Sequence, residues 1–176
     1  MDQQMKQQRL QGRLGPEIEE FRQSCMTLQL ATVDQDGKPN VSYAPFVQNS
    51  MGYFVLISEI ARHARNLQLN PHVSLMMIED EKAAKQLFAR KRLTFDAQAE
   101  IVERNSELWQ EVIGQLQQRF GEIIDGLSQL QDFILFKFTP QHGLFVKGFG
   151  QAYQVSGEDL VDFVHLEQGH KRIETP

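Results

Sequence analysis

The feature that most constrains the fold is a pair of strand-like segments within residues 28–47, joined by the polar sequence Asp34-Gln-Asp-Gly37. Gly37 can adopt the positive φ angle that tight hairpin turns require. Alternation places residues 28, 30 and 32 on one face of the first strand. Pro39 and Pro45 lack the N–H that a central strand donates, so we expect them at strand ends, at bulges or at the rim of a barrel. A hairpin of this kind buries one face and needs further strands to cover it.

The rest of the chain is typical of more strands with helices between them. Pro16 suits the first turn of one helix, Ser58 can cap a second, and the last strand contains Gly148-Phe-Gly150, which suggests a bulge or a close backbone approach. We predict strands at 53–57, 73–78, 90–104, 133–138 and 143–153, a turn at 139–142, and helices at 16–25, from residue 59 to Asn70, at 79–90, at 106–121 and near 160–164. About seven strands in hairpins with inserted helices predict an α+β protein built on a small antiparallel barrel.

Composition narrows the class of protein. A chain of 176 residues predicts one compact domain, and the formal net charge of −5 argues against a general nucleic-acid binder. Cys25 is the only cysteine, which excludes an intrachain disulfide and a cysteine cluster for metal. The N-terminus has no apolar core of a signal peptide, and no apolar run approaches the roughly 20 residues of a membrane span. We therefore expect a soluble cytoplasmic protein with no nucleic-acid or membrane partner.

Motifs for side-chain catalysis are missing from the sequence. The five histidines show neither i, i+4 pairing nor the His-Glu-x-x-His pattern of a zinc site, and the chain has no nucleophile elbow, P-loop or Gly-x-Gly-x-x-Gly before a helix. The chemistry is therefore expected to come from a bound cofactor.

Two basic segments indicate a flat anionic ligand. Arg90-Lys-Arg92 opens a predicted strand and could hold a phosphate or a propionate, although a solvated strand end explains it equally well. Gly169-His-Lys-Arg172 places an imidazole among cations near the C-terminus. A histidine in such a tail is often inert, so the residues alone leave its role open.

Several motifs together resemble a known superfamily. They are Leu30-Ala-Thr-Val-Asp34, Gly37-Lys-Pro39, Ser42-Tyr-Ala-Pro-Phe46, Ala64-Arg-Asn-Leu67, Asn70-Pro71, Arg90-Lys-Arg-Leu93, Asp132-Phe133 and Gly148-Phe-Gly-Gln-Ala152. This pattern resembles the split-barrel superfamily of pyridoxamine-phosphate-oxidase and FMN-binding proteins. From end to end it is most similar to the HugZ/HutZ-type heme-degrading branch, which the C-terminal segment around His170 separates from the flavin enzymes.

The resemblance implies a homodimer of split barrels that binds heme b, as substrate and cofactor, at the subunit interface. His170 matches the histidine that ligates the heme iron. Asp132 matches a carboxylate of the other subunit that accepts a hydrogen bond from that imidazole, which would tune the iron; without the resemblance it would be read as a turn residue. Arg92 is the best candidate to contact a heme propionate or polar groups near the iron.

Weaker expectations concern five other residues. His63 and Thr27 could serve the subunit interface, and Lys147 and Arg172 could screen the propionates. Trp109 lies on the apolar face of its helix, where a role in the core or the dimer contact fits better than stacking on a cofactor.

The implied reaction is cleavage of the porphyrin with O2 and an electron donor, giving biliverdin, iron and carbon monoxide, for iron acquisition from heme. A heme-delivery protein and a reductase would be partners. The chain is divided into an N-terminal lead-in at 1–13, a split-barrel domain at 14–164 and a tail at 165–176 that carries the heme ligand. Two alternatives stay open: a heme carrier or store without turnover, and an FMN-dependent oxidoreductase of the split-barrel type, although a flavin site has no use for the tail histidine.

Overall fold

The computed structural model describes residues 3–159 and 161–163, which form four helices and nine antiparallel strands. The order is α1 (Gln3–Ser24), β1 (Thr27–Val33), β2 (Pro39–Pro45), β3 (Val47–Asn49), β4 (Gly52–Ser58), α2 (Arg62–Leu69), β5 (His72–Ile78), a single 3-10 turn (Leu87–Ala89), β6 (Arg92–Ile101), α3 (Glu107–Phe120), α4 (Ile123–Ser128), β7 (Phe133–Gly148), β8 (Gln151–Ser156) and β9 (Val161–Phe163).

The described strands form one antiparallel sheet in the order β2-β1-β5-β6-β7-β4-β3. β7 is the long central strand, because its first half pairs with β4, its second half pairs with β8, and β6 runs beside most of its length. β8 in turn pairs with β9, which lies at an edge. The predicted hairpin is confirmed: β1 and β2 pair from Thr27 opposite Pro45 to Val33 opposite Pro39, with Gly37 at φ 77° in the turn.

Apolar side chains pack into two cores. The first lies inside the sheet and under α1, where aromatic rings fill the centre: Phe21, Phe46, Tyr53, Phe95, Phe136, Phe138 and Phe145. The second lies between α3 and the outer faces of β3, β4 and β7 and contains Trp109, which is 8% exposed. The expectation that Trp109 is a core residue is confirmed.

The first helix is longer than predicted, and Pro16 lies inside it rather than in its first turn. A proline here removes one backbone hydrogen bond. Leu10, Leu14, Ile18 and Phe21 are buried at helical spacing, so packing along the whole helix offsets that loss. The proposed division between positions 13 and 14 stays untested as a domain boundary, although α1 runs across it.

The predicted helix at 79–90 is wrong. This segment is a loop with one 3-10 turn, held by bonds from side chains to the backbone. Asp80 Oδ1 accepts from Lys82 N at 2.8 Å, and Glu79 Oε1 accepts from Lys91 N at 2.7 Å. Such local bonds compete with a helix.

The predicted turn at 139–142 is also wrong, since β7 continues through it. Pro140 lies opposite Ala97, next to the irregularity between Phe95 and Ala97 where β6 shifts register, so the missing N–H of proline is accommodated. The chain reverses instead at residues 149–150, after a second register shift between Val146 and Gly148. The predicted single strand at 143–153 is therefore wrong: Gly148-Phe-Gly150 forms the reversal between β7 and β8, and the irregularity lies just before it.

The predicted helix near 160–164 is wrong as well, because Val161–Phe163 is strand β9. Ser156 and Asp159 resemble a helix cap in sequence, but they build a tight turn in which Ser156 Oγ accepts from Glu158 N at 3.2 Å. Asp159 has a φ of 59°, a backbone conformation that ends rather than starts a helix.

Candidate functional site

Asp132 stands at the entry of β7, and its carboxylate is tied to the end of β4. Ser58 Oγ donates a hydrogen bond to Asp132 Oδ2 at 2.7 Å, and the Asp132 carbonyl accepts from Glu59 N at 2.7 Å. The aspartate is half-buried, and no hydrogen bond to its Oδ1 is formed by the described residues. A second acceptor oxygen is therefore held in place at the protein surface.

Ser58 was predicted as a helix cap, and this is wrong. α2 begins at Arg62, its N-cap is Ala61, and no side chain caps it. The Ser58 hydroxyl instead accepts from Ile60 N at 3.3 Å and donates to Asp132. Sequence reasoning missed this residue as a support for the site, because its partner lies 74 positions away.

The three cations of 90–92 have different surroundings. Arg90 donates from Nε to the Glu79 carbonyl at 3.1 Å and pairs with Glu81, and Lys91 Nζ lies 3.6 Å from Glu17 Oε1. Arg92, the first residue of β6, donates from Nη1 to the Arg90 carbonyl at 3.1 Å and forms no ion pair with any described carboxylate. Arg92 is therefore the cation of this segment whose charge is left for an external anion.

Arg92 lies on the outward face of the sheet. Along β6 the residues at 93, 95 and 97 point into the core, so 92, 94 and 96 point outward. Thr94 and Asp96 line an open pocket on that face with a volume of about 500 Å³. Val41 of the edge strand β2 lines it as well. Val41 is 78% exposed and Tyr43 beside it is 66% exposed. Large apolar side chains left open beside a concavity mark a surface for contact with another molecule.

Lys147 forms an ion pair within the chain. Its Nζ lies 2.6 Å from Glu17 Oε2, so a role beside a propionate would require it to change partner. Thr27 is exposed at the start of β1, opposite Pro45. The roles expected for both residues stay predictions.

His63 lies on α2, where its Nδ1 is 2.8 Å from Ser42 Oγ. The ring is half-buried, and burial lowers the pKa of the imidazole. The histidine is therefore biased toward its neutral form, and its expected part in the subunit interface stays a prediction.

Asp132 and Arg92 lie at opposite ends of β7. Asp132 precedes Phe133, which pairs with Ser58, whereas Arg92 lies opposite Val146 near the other end of the strand. The described part of the chain therefore does not bring the two side chains into one site. His170 and Arg172, the other residues expected to hold the ligand, lie outside the described residues.

Phe163, the last described residue, lies at the same end of the sheet as Arg92. Phe163 of β9 pairs with Tyr153 of β8, and Tyr153 pairs with Phe145 of β7. Arg92 pairs with the next residue of β7, Val146. Phe163 is therefore on the Arg92 side of the sheet and not on the Asp132 side.

The described residues contain neither a cluster that could hold a metal ion nor a helix that could span a membrane. Within residues 3–159 and 161–163, no three His, Cys, Asp or Glu side chains are grouped so that they could hold a metal ion. In the same ranges, no helix is both long and apolar enough to cross a bilayer. Among the described residues, the structure offers the half-buried Arg92 guanidinium for an anion and the oriented Asp132 carboxylate for an N–H donor.

The sequence matches one family model and is similar over nearly its whole length to a named relative. Residues 14–147 match the family model described as pyridoxamine 5′-phosphate oxidase. Over 173 residues, which are 98% of this chain and 98% of the relative, the sequence is 78% identical to heme oxygenase HutZ of Vibrio cholerae serotype O1.

Two solved structures resemble this chain in fold and in sequence. The crystal structure of HutZ, described as the heme storage protein of Vibrio cholerae, has a TM-score of 0.75 and 72% identity and covers 77% of this chain and 96% of that chain. The crystal structure of Campylobacter jejuni ChuZ has a TM-score of 0.84 and 34% identity and covers 93% of this chain and 67% of that chain. The fold expected from the sequence is thereby confirmed.

Proposed function

This chain belongs to the pyridoxamine 5′-phosphate oxidase family, and from its similarity to one member we propose that it is a heme-degrading oxygenase. It cleaves the porphyrin with O2 and an electron donor to biliverdin, iron and carbon monoxide, and so supplies iron from heme. The observation that carries the proposal is the 78% identity to heme oxygenase HutZ over 98% of both chains.

The residues on the page fit this substrate. Heme presents an apolar plane, two anionic propionates and an iron that takes an imidazole ligand. Arg92 offers a guanidinium that no described carboxylate neutralises, on an outward face bordered by the exposed Val41 and Tyr43. We assign Arg92 to a propionate and His170 to the iron, with Arg172, Lys147 and His63 in supporting roles.

The site is built from two copies of the chain. The C-terminal segment that carries His170 starts at the Arg92 end of one protomer, and Asp132 is held at the opposite end. A homodimer can bring the Asp132 carboxylate of one subunit to the imidazole N–H of the other. There the oxygen that Ser58 leaves open would accept that hydrogen bond, fix the orientation of the ring and raise its basicity toward iron.

The test is titration of the purified protein with hemin, followed by ascorbate in air. We expect a Soret band that His170→Ala shifts or abolishes, and in the unchanged protein a loss of that band with the appearance of a biliverdin spectrum. His165→Ala is the matched control, because it removes the other histidine of the same tail and should leave both steps intact. A parent protein without a Soret band would overturn the proposal.

Sharing of the site between subunits can be tested by complementation. An Asp132→Ala protein and a His170→Ala protein are each impaired, but a dimer mixed from the two contains one site with both side chains. Turnover recovered on mixing and refolding the two variants supports the shared site. Mixed dimers no more active than either variant would place both residues in the same subunit.

The propionate contact has its own test. Arg92→Gln should weaken binding of hemin, and the difference from the parent should disappear with heme whose propionates are esterified. Arg90→Gln is the control, since the Arg90 guanidinium is already engaged by Glu79 and Glu81. Equal weakening of the esterified heme would argue for a general effect on the surface.

A heme store is the second candidate, favoured by the description of the HutZ crystal structure as a heme storage protein. A store and an oxygenase need the same iron ligand, so only turnover separates them.

The proposal also includes heme b as the bound form, a purified protein free of flavin, a cytoplasmic location, a heme-delivery protein and a reductase. A yellow protein that takes up FMN and shows no Soret band would instead indicate the flavin chemistry of the wider family.

A further inference from the structure

The edge strand β9 is fastened to α1 by glutamine side chains. Gln11 donates from Nε2 to the Asp159 carbonyl at 3.0 Å and accepts from Val161 N at 2.6 Å through Oε1. Gln7 Nε2 donates to the Val161 carbonyl. The side-chain amide of Gln11 thus bonds the backbone on both sides of position 160, in the way that a neighbouring strand would.

Ion pairs between the buried Arg22 and two partly exposed carboxylates reinforce this attachment. Arg22 is 2% exposed, its Nη2 lies 2.6 Å from Asp159 Oδ1, and its Nη1 lies 2.7 Å from Glu19 Oε2. Its guanidinium also lies 5.6 Å from the centre of the Tyr53 ring. Because a buried charge is costly without its partners, the pair with Asp159 strongly favours the conformation in which the turn before β9 lies on α1. Asp159 holds that turn with a φ of 59°.

Two other contacts hold β9 among the described elements: Val161 is fully buried in the first core, and β9 pairs with β8. The strand β9 is three residues long, and its only strand partner is β8, through Tyr153, Gln154 and Val155. Short strands at an edge are the parts of a sheet that open most readily. The contacts from α1 therefore add to the burial of Val161 and to the pairing with β8 in holding the chain up to Phe163.

The position of Phe163 limits where the proposed iron ligand can reach. His170 follows seven positions later in the sequence, and seven residues span at most about 25 Å when fully extended. A fixed starting point raises the effective concentration of the imidazole at the iron, whereas a loose one spreads the same imidazole over a larger volume.

We propose that Gln11, Arg22 and Asp159 are positioning residues for the heme ligand, which act on His170 by fixing the strand from which its segment departs. The inference rests on the proposed function. It gives α1 a part in heme affinity although none of these three side chains needs to contact heme.

The first test is the affinity for hemin of an Asp159→Gly variant, which removes the carboxylate and keeps the positive φ accessible. We expect heme affinity to fall about tenfold, with partial recovery in Asp159→Asn. Glu19→Gln is the matched control, because it removes the charge of the other carboxylate that pairs with Arg22 without releasing β9. For the glutamine contact, Gln11→Ala should weaken heme binding and Gln8→Ala, an exposed position of the same helix, should not.

The decisive measurement repeats Asp159→Gly in a His170→Ala background. If the aspartate acts through the ligand, its effect disappears there, whereas a general loss of structure would persist. Equal weakening in both backgrounds, or no weakening in either, overturns the inference. If His170→Ala by itself leaves hemin binding unchanged, the proposed ligand is wrong, so the two failures are distinguished.

Discussion

The support that Ser58 gives to Asp132 can be tested as a free-energy difference. Ser58→Ala removes the 2.7 Å hydrogen bond to the carboxylate and the weaker 3.3 Å bond from Ile60 N. Hydrogen bonds to charged groups contribute about 1.5–3 kcal/mol, and a half-buried carboxylate belongs at the lower end. Adding about 0.5 kcal/mol for the longer bond, we expect the free energy of unfolding to fall by about 2 kcal/mol.

Urea unfolding measures this loss, at equal protein concentrations because dimerisation would couple to stability. A double-mutant cycle with Asp132→Ala then isolates the pair, and we expect a coupling energy of about 1.5 kcal/mol. Ser74→Ala is the control, because Ser74 Oγ donates to Asp96 at 3.0 Å in an exposed setting, where a change of about 0.5 kcal/mol or less is expected. A Ser58–Asp132 coupling as small as the control would refute the claim that Ser58 holds the carboxylate.

Three further predictions follow from individual residues. Asp132→Asn should change the rate of heme turnover more than heme affinity, since the amide weakens the hydrogen bond to the ligand without removing the ligand; reduced affinity with unchanged turnover per bound heme would contradict it. Because burial lowers the pKa of His63, the unfolded state takes up a proton first as pH falls. The stability that neutral His63 provides is therefore complete above the unfolded pKa of about 6.5 and is lost below it. Between about pH 7.5 and about pH 5.5 the parent should lose more free energy of unfolding than His63→Asn does, and equal losses would exclude this contribution. Gly52→Ala should destabilise the fold by about 3 kcal/mol or more, because φ is 138° and the new Cβ would lie 2.3 Å from the Phe138 carbonyl oxygen. Gly114→Ala, in α3 with open space around the position, should be neutral or stabilising in the same thermal unfolding assay.

Local signals explain the parts of the fold that could be predicted. The first hairpin has its glycine turn and alternating faces within one short segment. α3 is capped at its start by Ser106, whose hydroxyl accepts from Trp109 N at 3.1 Å, and it is followed by Gly121 with a φ of 82°. In both cases the residues that decide the structure are neighbours in the sequence, so their pattern is visible there.

Distant partners explain the parts that could not be predicted. Residues 156–163 look like a capped helix, but β9 forms because Gln11 bonds Val161 across 150 positions and β8 supplies a strand. The expected role of Asp132 came from the resemblance alone, whereas that of Arg92 came from the basic segment 90–92 together with the resemblance. Their placement at opposite ends of β7 depends on strand register, which the separate segments do not reveal.

The most direct test of the central claim is the carbon monoxide released when the heme-loaded protein is supplied with ascorbate in air, with catalase present to remove free peroxide. Cleavage of the porphyrin by the protein-bound heme predicts one carbon monoxide for each heme lost, together with biliverdin and chelatable iron. A Soret band that persists, or one that fades without carbon monoxide, would contradict the oxygenase and leave a protein that only binds heme.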